Sequence, residues 1–187
     1  MPELNIQEPA GEIVDSATVR IERLLPGPIE RVWAYLVESD KRAKWLAAGS
    51  MDLAPGAGFE LVFRHSQLSH EPTPERWADA DGHVHHCHIT RCEPPRVLSF
   101  TWPQGHGEGA PAEDSEVTFE LTPQDDGVLL VVTHERLFDR ATMANVASGW
   151  HTHLGLLLDH LNHRAPRGFW SSFTEVEKLY NERISAR

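Results

Sequence analysis

The stretch SGWHTHLGLLLDHLNH (148–163) sets four histidines among leucines, and its periodicity decides the fold. With Trp150 at zero on a helical wheel, Leu154, Leu157 and Leu161 fall within about 40° of it. The same three-and-four spacing runs back through Met143, Val146 and Ala147. Asp139 suits the N-cap, and Pro166 with Gly168 stops the pattern. The spacing predicts one amphipathic helix of about 22 residues, roughly 33 Å long. His153 and His160 lie about 60–80° from the stripe, at its rim, while His151 and His163 lie further round toward water. The four do not converge, and none of their spacings is the i, i+4 pair of a helical zinc site. His153 is the one placed to face a bound ligand.

Upstream of this helix the period changes from 3.6 to two. In TVRIERLL (18–25), Val19 and Ile21 alternate with Arg20 and Glu22, a half-buried strand ended by Pro26-Gly27-Pro28. Two short helices follow, one carrying Ile29, Val32, Trp33 and Leu36 and one over KRAKWL (41–46). Ser50–Leu53 and FELVFRH (59–65) read as a hairpin around Pro55-Gly56-Ala57-Gly58. Residues 66–82, polar and with two prolines, read as a long insertion. Further strands are predicted over HVHHCHITRC (83–92), RVLSFTW (96–102), SEVTFELTP (115–123) and VLLVVTHE (128–135), with a flexible connection at 103–114. Short turns make the sheet of about six or seven strands antiparallel. Residues 1–15 lack periodicity and read as a flexible N-terminal arm, residues 16–164 as one domain, and 165–187 as a tail with a short helix.

Composition narrows the function. The 187 residues carry 17 Lys+Arg against 28 Asp+Glu, a net charge of −11 that repels phosphate backbones and anionic lipid. No nucleic-acid or membrane partner is expected, since no run approaches the roughly 18 apolar residues of a span. The N-terminal stretch lacks the regions of a signal peptide, so a cytoplasmic location is expected. The two cysteines, Cys87 and Cys92, are expected as reduced thiols. In HVHHCH (83–88), His83, His85 and Cys87 share a strand face, but same-face neighbours about 6.6–7 Å apart make one strand a poor chelator. Those three are the weak candidates for a metal, and no metal or other cofactor is expected. No nucleophile elbow, P-loop, dinucleotide fingerprint or C-x-x-C is present.

Four stretches carry a family resemblance: PIERVWAYLVESDKRAKWL (28–46), PGAGFELVF (55–63), CEPPRVLSFTW (92–102) with SEVTFELTPQDDGVLLVVTHE (115–135), and GWHTHLGLLLDHL (149–161). Together they resemble the SRPBCC (START-like, Bet v-like) superfamily, and within it the branch named for the activator of the heat-shock ATPase. The resemblance covers about residues 18–163 and departs from the short family pattern at 66–82 and after Gly168. It implies an α+β helix-grip fold: a curved antiparallel sheet wrapped around the long C-terminal helix, with a cavity between them for an apolar small molecule. Inward aromatics at Trp45, Phe63, Phe100, Trp102, Phe119 and Trp150 are the expected wall, joined by Val132, Leu154 and Leu157. His134 and His153 are the polar candidates at its edge.

Three roles stay open at this point. The first is sequestration or sensing of a hydrophobic ligand. The second is an enzyme, cyclase-like or hydrolase-like, using His134 or His153 as a general base. The third is a co-chaperone-like interaction module. Insertion 66–82 can fold over a cavity mouth or meet a partner. The tail's Phe169, Trp170 and Phe173, each worth about 1.5–3 kcal/mol on burial, must dock on their own domain or in a homodimer.

Overall fold

Seven antiparallel strands form one curved sheet in the computed structural model, which describes residues 8–104, 109 and 111–186. The strands are β1 (Glu12–Ile13), β2 (Val19–Pro26), β3 (Gly58–Val62), β4 (Val84–Glu93), β5 (Val97–Trp102), β6 (Ser115–Gln124) and β7 (Gly127–Glu135). Their order across the sheet is β1-β2-β7-β6-β5-β4-β3. Alternation sets the register. In β6, Val117, Phe119 and Leu121 turn inward, and across the ladder they face His134, Val132 and Leu130 of β7, all of which are buried.

Two short helices, α1 (Ile29–Val37) and α2 (Ser39–Arg42), follow β2. Buried Arg42 fastens the pair, donating from Nη1 to the carbonyls of Leu36 at 3.1 Å and Val37 at 3.0 Å and from Nη2 to that of Gly49. The long helix α3 (Arg140–Leu161) starts where Asp139 Oδ1 accepts from the Thr142 N–H at 2.7 Å. A final helix, α4 (Phe169–Ser185), packs along α3.

Several expectations need correction. Ser50–Leu53 is not a strand: only Ala48 bridges to Val62, because Gly49, at φ +131°, brings the backbone within contact of the Glu60 carbonyl. The seventh strand is β1 instead, within the segment read as an arm. Ile13 is buried there, and the Gly11 N–H donates to Tyr180 Oη at 2.6 Å, so α4 anchors this stretch; residues 1–7 lie outside the described residues. The strand expected over 59–65 ends at Val62, and the insertion holds two 3-10 turns, His65–Gln67 and Glu75–Ala80. Most of the tip of the 103–114 connection, residues 105–108 and 110, also lies outside the described residues.

The largest difference concerns α3. A helix lying on a sheet presents one face to solvent, which is why His151 is predicted toward water. Here α4 packs against the His151 side of α3, and His151 is buried with Nδ1 at 3.1 Å from Tyr180 Oη. His163 is exposed just past the helix end, as its position on the wheel requires. Phe169, Trp170, Phe173, Val176, Tyr180 and Ile184 are buried within their own chain, so docking of the tail's aromatics needs no second copy.

The turn joining α3 to α4 is held electrostatically. Asp159, nearly buried, accepts from the Arg167 backbone N–H at 3.0 Å and from its Nε and Nη2 at 2.8 and 2.9 Å; Arg167 Nη1 reaches Glu8 at 2.8 Å. The insertion supplies the N-terminal caps of α4. Ser69 Oγ accepts from the Phe169 N–H at 3.1 Å, and the Glu71 carboxylate accepts from the Ser171 N–H at 3.0 Å. Segments about a hundred residues apart are thereby locked together.

Candidate functional site

A cavity of about 490 Å³ opens between the inner face of the sheet's β3–β5 edge, α3, α4 and the insertion. The sheet side offers Phe63, His85 and Trp102, with His83 just before β4. From α3 come Asn145, Val146, Gly149, Trp150 and His153. Phe169, Trp170 and Phe173 of α4 close the far side. Arg76, Trp77, Asp79 and Ala80 of the insertion, with His65, complete the wall; Leu46 contributes from the segment after α2.

Aromatic contacts give this wall its shape. Trp77 stacks on Trp170, with centroids 5.7 Å apart and planes 17° from parallel, and meets Phe173 edge-on at 5.5 Å. Arg76 lies 4.9 Å above the Trp77 ring and pairs with Glu177 of α4 at 2.7 Å. Trp102 packs against Trp150 at 5.2 Å and His85 at 4.8 Å.

Of the residues the sequence nominates for the cavity, Phe63, Trp102, Trp150 and His153 line it. Trp45, Phe100, Phe119, Val132, Leu154 and Leu157 do not; they are buried in the hydrophobic core. His134 is also away from it. It accepts from the Trp150 Nε1–H at Nδ1 (2.9 Å), so its proton is on Nε2, which faces Ser115 Oγ at 2.8 Å, and Ser115 donates in turn to the Trp102 carbonyl at 2.8 Å. Every polar atom of the imidazole is engaged, and the group is structural.

His153 is held from the other side: its Nδ1 lies 2.6 Å from the Trp45 carbonyl oxygen. Burial pushes His134 and His153 down to about 3 and His85 down to about 4, so all three are neutral at pH 7. A general base working near neutral pH wants a value near 7, which neither catalytic candidate has.

The metal candidates separate as well. His83 and His85 contact one another, with centroids at 4.8 Å, and line the cavity, whereas Cys87 is buried in the core with burial raising its thiol to about 12. Among the described residues no group of three or more His, Cys, Asp or Glu is placed to hold a metal ion. Both cysteines are free. Among those residues, too, no helix is long and apolar enough to cross a membrane.

Sequence reasoning missed His65, Trp77, Gly149 and the α4 aromatics as wall residues. The signal was partial: three aromatics in FWSSF (169–173) demand burial, but nothing local says that the insertion and the tail bury one another.

The model of the family described as activator of Hsp90 ATPase homolog 1-like protein matches residues 26–162. A Bordetella parapertussis protein solved by solution NMR is 48% identical, with 94% of this chain and 91% of that chain covered and a TM-score of 0.79. The crystal structure of CalU16 from Micromonospora echinospora is 21% identical, with 94% of each chain covered and a TM-score of 0.66. The solution structure of the Aha1 dimer from Colwellia psychrerythraea is 16% identical, covering 77% of this chain and 95% of that one with a TM-score of 0.56. These last two show a shared fold. No curated protein matches the chain.

Proposed function

The chain belongs to the activator of Hsp90 ATPase homolog 1-like family within the SRPBCC superfamily, and on that premise we propose that it binds an apolar, aromatic small molecule in its cavity, in the cytoplasm. The observation that carries this reading is the void itself. A concave space of about 490 Å³, open on one side and lined by seven aromatic rings, has the size and character of a small-molecule site. Of the three roles the sequence leaves open, an enzyme would need a base near neutral pH, and His134 and His153 are both pushed down to about 3, which favours ligand binding.

Gly149 provides the test. It lines the cavity on α3, and a Cβ placed there meets nothing within 4 Å. Gly149→Leu therefore fills the void from the helix. Replacing a helical glycine adds on the order of 1 kcal/mol of stability, so the unliganded variant melts higher than wild type. A cavity ligand at a hundred times its Kd stabilises wild type by about 2.7 kcal/mol, which is a rise in Tm of roughly 5–10 °C. Melting curves of both proteins with a panel of aromatic ligands check this. A saturable shift in wild type that disappears in Gly149→Leu supports the reading; shifts equal in both proteins would place binding elsewhere.

A homodimer is a separate proposal, motivated by the dimeric Colwellia protein and confined to surfaces other than the buried face of α4. Light scattering decides it: the mass of one chain removes it and the mass of two supports it.

A further inference from the structure

The polar atoms that the cavity leaves unused say more about the ligand than its aromatic wall does. The Trp45 oxygen can only accept, so Nδ1 of His153 carries the proton and, in the neutral ring, Nε2 carries a bare lone pair. Nε2 bonds to none of the described residues. Nor is it sealed away: the buried side-chain atoms without a partner are Nδ1 of His85, Nε1 of Trp170 and guanidinium nitrogens of Arg23 and Arg42. With the ring 94% buried by its neighbours and lining the void, that lone pair is reached from the cavity.

His65 repeats the arrangement. Its Nδ1 lies 3.4 Å from the Ala80 carbonyl, leaving Nε2 as acceptor, and its ring centroid is 5.7 Å from that of His153. Two hydrogen-bond acceptors thus stand side by side among aromatic rings.

Charge argues in the same direction. Burial holds both imidazoles below the ordinary value, so neither offers an anion a positive partner at pH 7. Of the two charged side chains in the wall, Arg76 is paired with Glu177, and Asp79 is acidic. A carboxylate or phosphate would meet a negative group and two lone pairs.

We infer that the ligand is a neutral aromatic molecule bearing a hydroxyl group, and that this hydroxyl donates to Nε2 of His153, with Nε2 of His65 as the neighbouring acceptor. The inference rests on the cavity-binding reading and adds the chemical class. His65 belongs to the insertion side of the wall, and both rings pack on Phe169 of α4, at 5.0 and 4.9 Å, so the site is built partly from a helix that lies beyond the matched family region.

Two probes of nearly equal size separate the contributions: 2-naphthol, which has the donor, and 2-methoxynaphthalene, which does not. Titration calorimetry at pH 7 should show wild type binding 2-naphthol about tenfold more tightly, the value of one good hydrogen bond. His153→Asn keeps an amide N–H for the Trp45 carbonyl and deletes the Nε2 acceptor; in it the ratio of the two affinities, measured within the same variant, falls to about twofold or less. His65→Asn, at a less buried position, lowers the preference by a smaller factor and covers the case in which the first variant misfolds. Equal binding of the two probes to wild type, or a preference unchanged in both variants, overturns the inference and leaves the cavity reading standing. Binding of neither probe counts against the cavity reading itself, and the inference falls with it.

Discussion

Acidification from pH 7 to pH 5 removes several kcal/mol of folding stability, enough to unfold much of the population of an ordinary domain. The cause is four histidines held in neutral form, His85, pushed down to about 4, among them. His134, His151 and His153 are each pushed down to about 3, chiefly by burial, and His151 also by the nearby charges of Arg23, Arg167 and Arg183. In the unfolded chain each titrates near 6.5. Between those values the unfolded state binds a proton that the folded state refuses, so stability is complete above about pH 6.5 and is lost as pH falls from there toward 3. By pH 5 each group has cost about 2 kcal/mol. Denaturant melts at half-unit steps check the slope, and potentiometry checks an uptake of about four protons per chain on unfolding at pH 5. A stability that is flat from pH 7 to pH 5 would contradict the buried, neutral assignment.

Asp159→Ala lowers stability by about 3 kcal/mol and loosens α4 before the rest of the molecule. The carboxylate takes three hydrogen bonds from Arg167 in a nearly buried place, and removing one partner of such a pair leaves the other charge without its compensation. Burial alone would raise the carboxyl; the Arg167 bonds outweigh it and hold the value below 3.8. This group's stabilisation is therefore present above that pH and lost as pH falls below it, separately from the histidine effect. Because the α3–α4 turn positions Phe169 and Trp170, the variant should also lose the ligand-induced rise in Tm. Hydrogen exchange distinguishes this from uniform weakening: residues 169–185 exchange faster while β6 and β7 keep their protection.

Period-two and period-3.6 patterns made the grip legible. Val117, Phe119 and Leu121 announce a strand face, and Trp150, Leu154, Leu157 and Leu161 announce the helix that the sheet embraces. Local pattern also found Asp139 as a cap. It failed wherever distant segments meet. His151 looks solvent-facing until α4 is laid over it, and Trp45, Phe100 and Phe119 cannot be told from cavity wall because an inward aromatic has the same spacing whether it meets a neighbour or a void. Ser50–Leu53 carries strand-like residues, but the neighbouring close approach at Gly49 is a tertiary fact. His65 and Trp77 lie in a segment with no period at all, so nothing in their surroundings marks them as wall residues.

The capping of α4 by Ser69 and Glu71 has an evolutionary corollary. The inner face of the sheet is specified by one set of positions, while the far wall of the cavity is specified by the insertion and α4, which cap and stack on one another. Changes in 66–82 can be compensated in the tail, and the reverse, without disturbing the hydrophobic code of the sheet. The proposed ligand wall is thus open to change through a matched pair of segments that leaves the residues closing the sheet on α3 as they are.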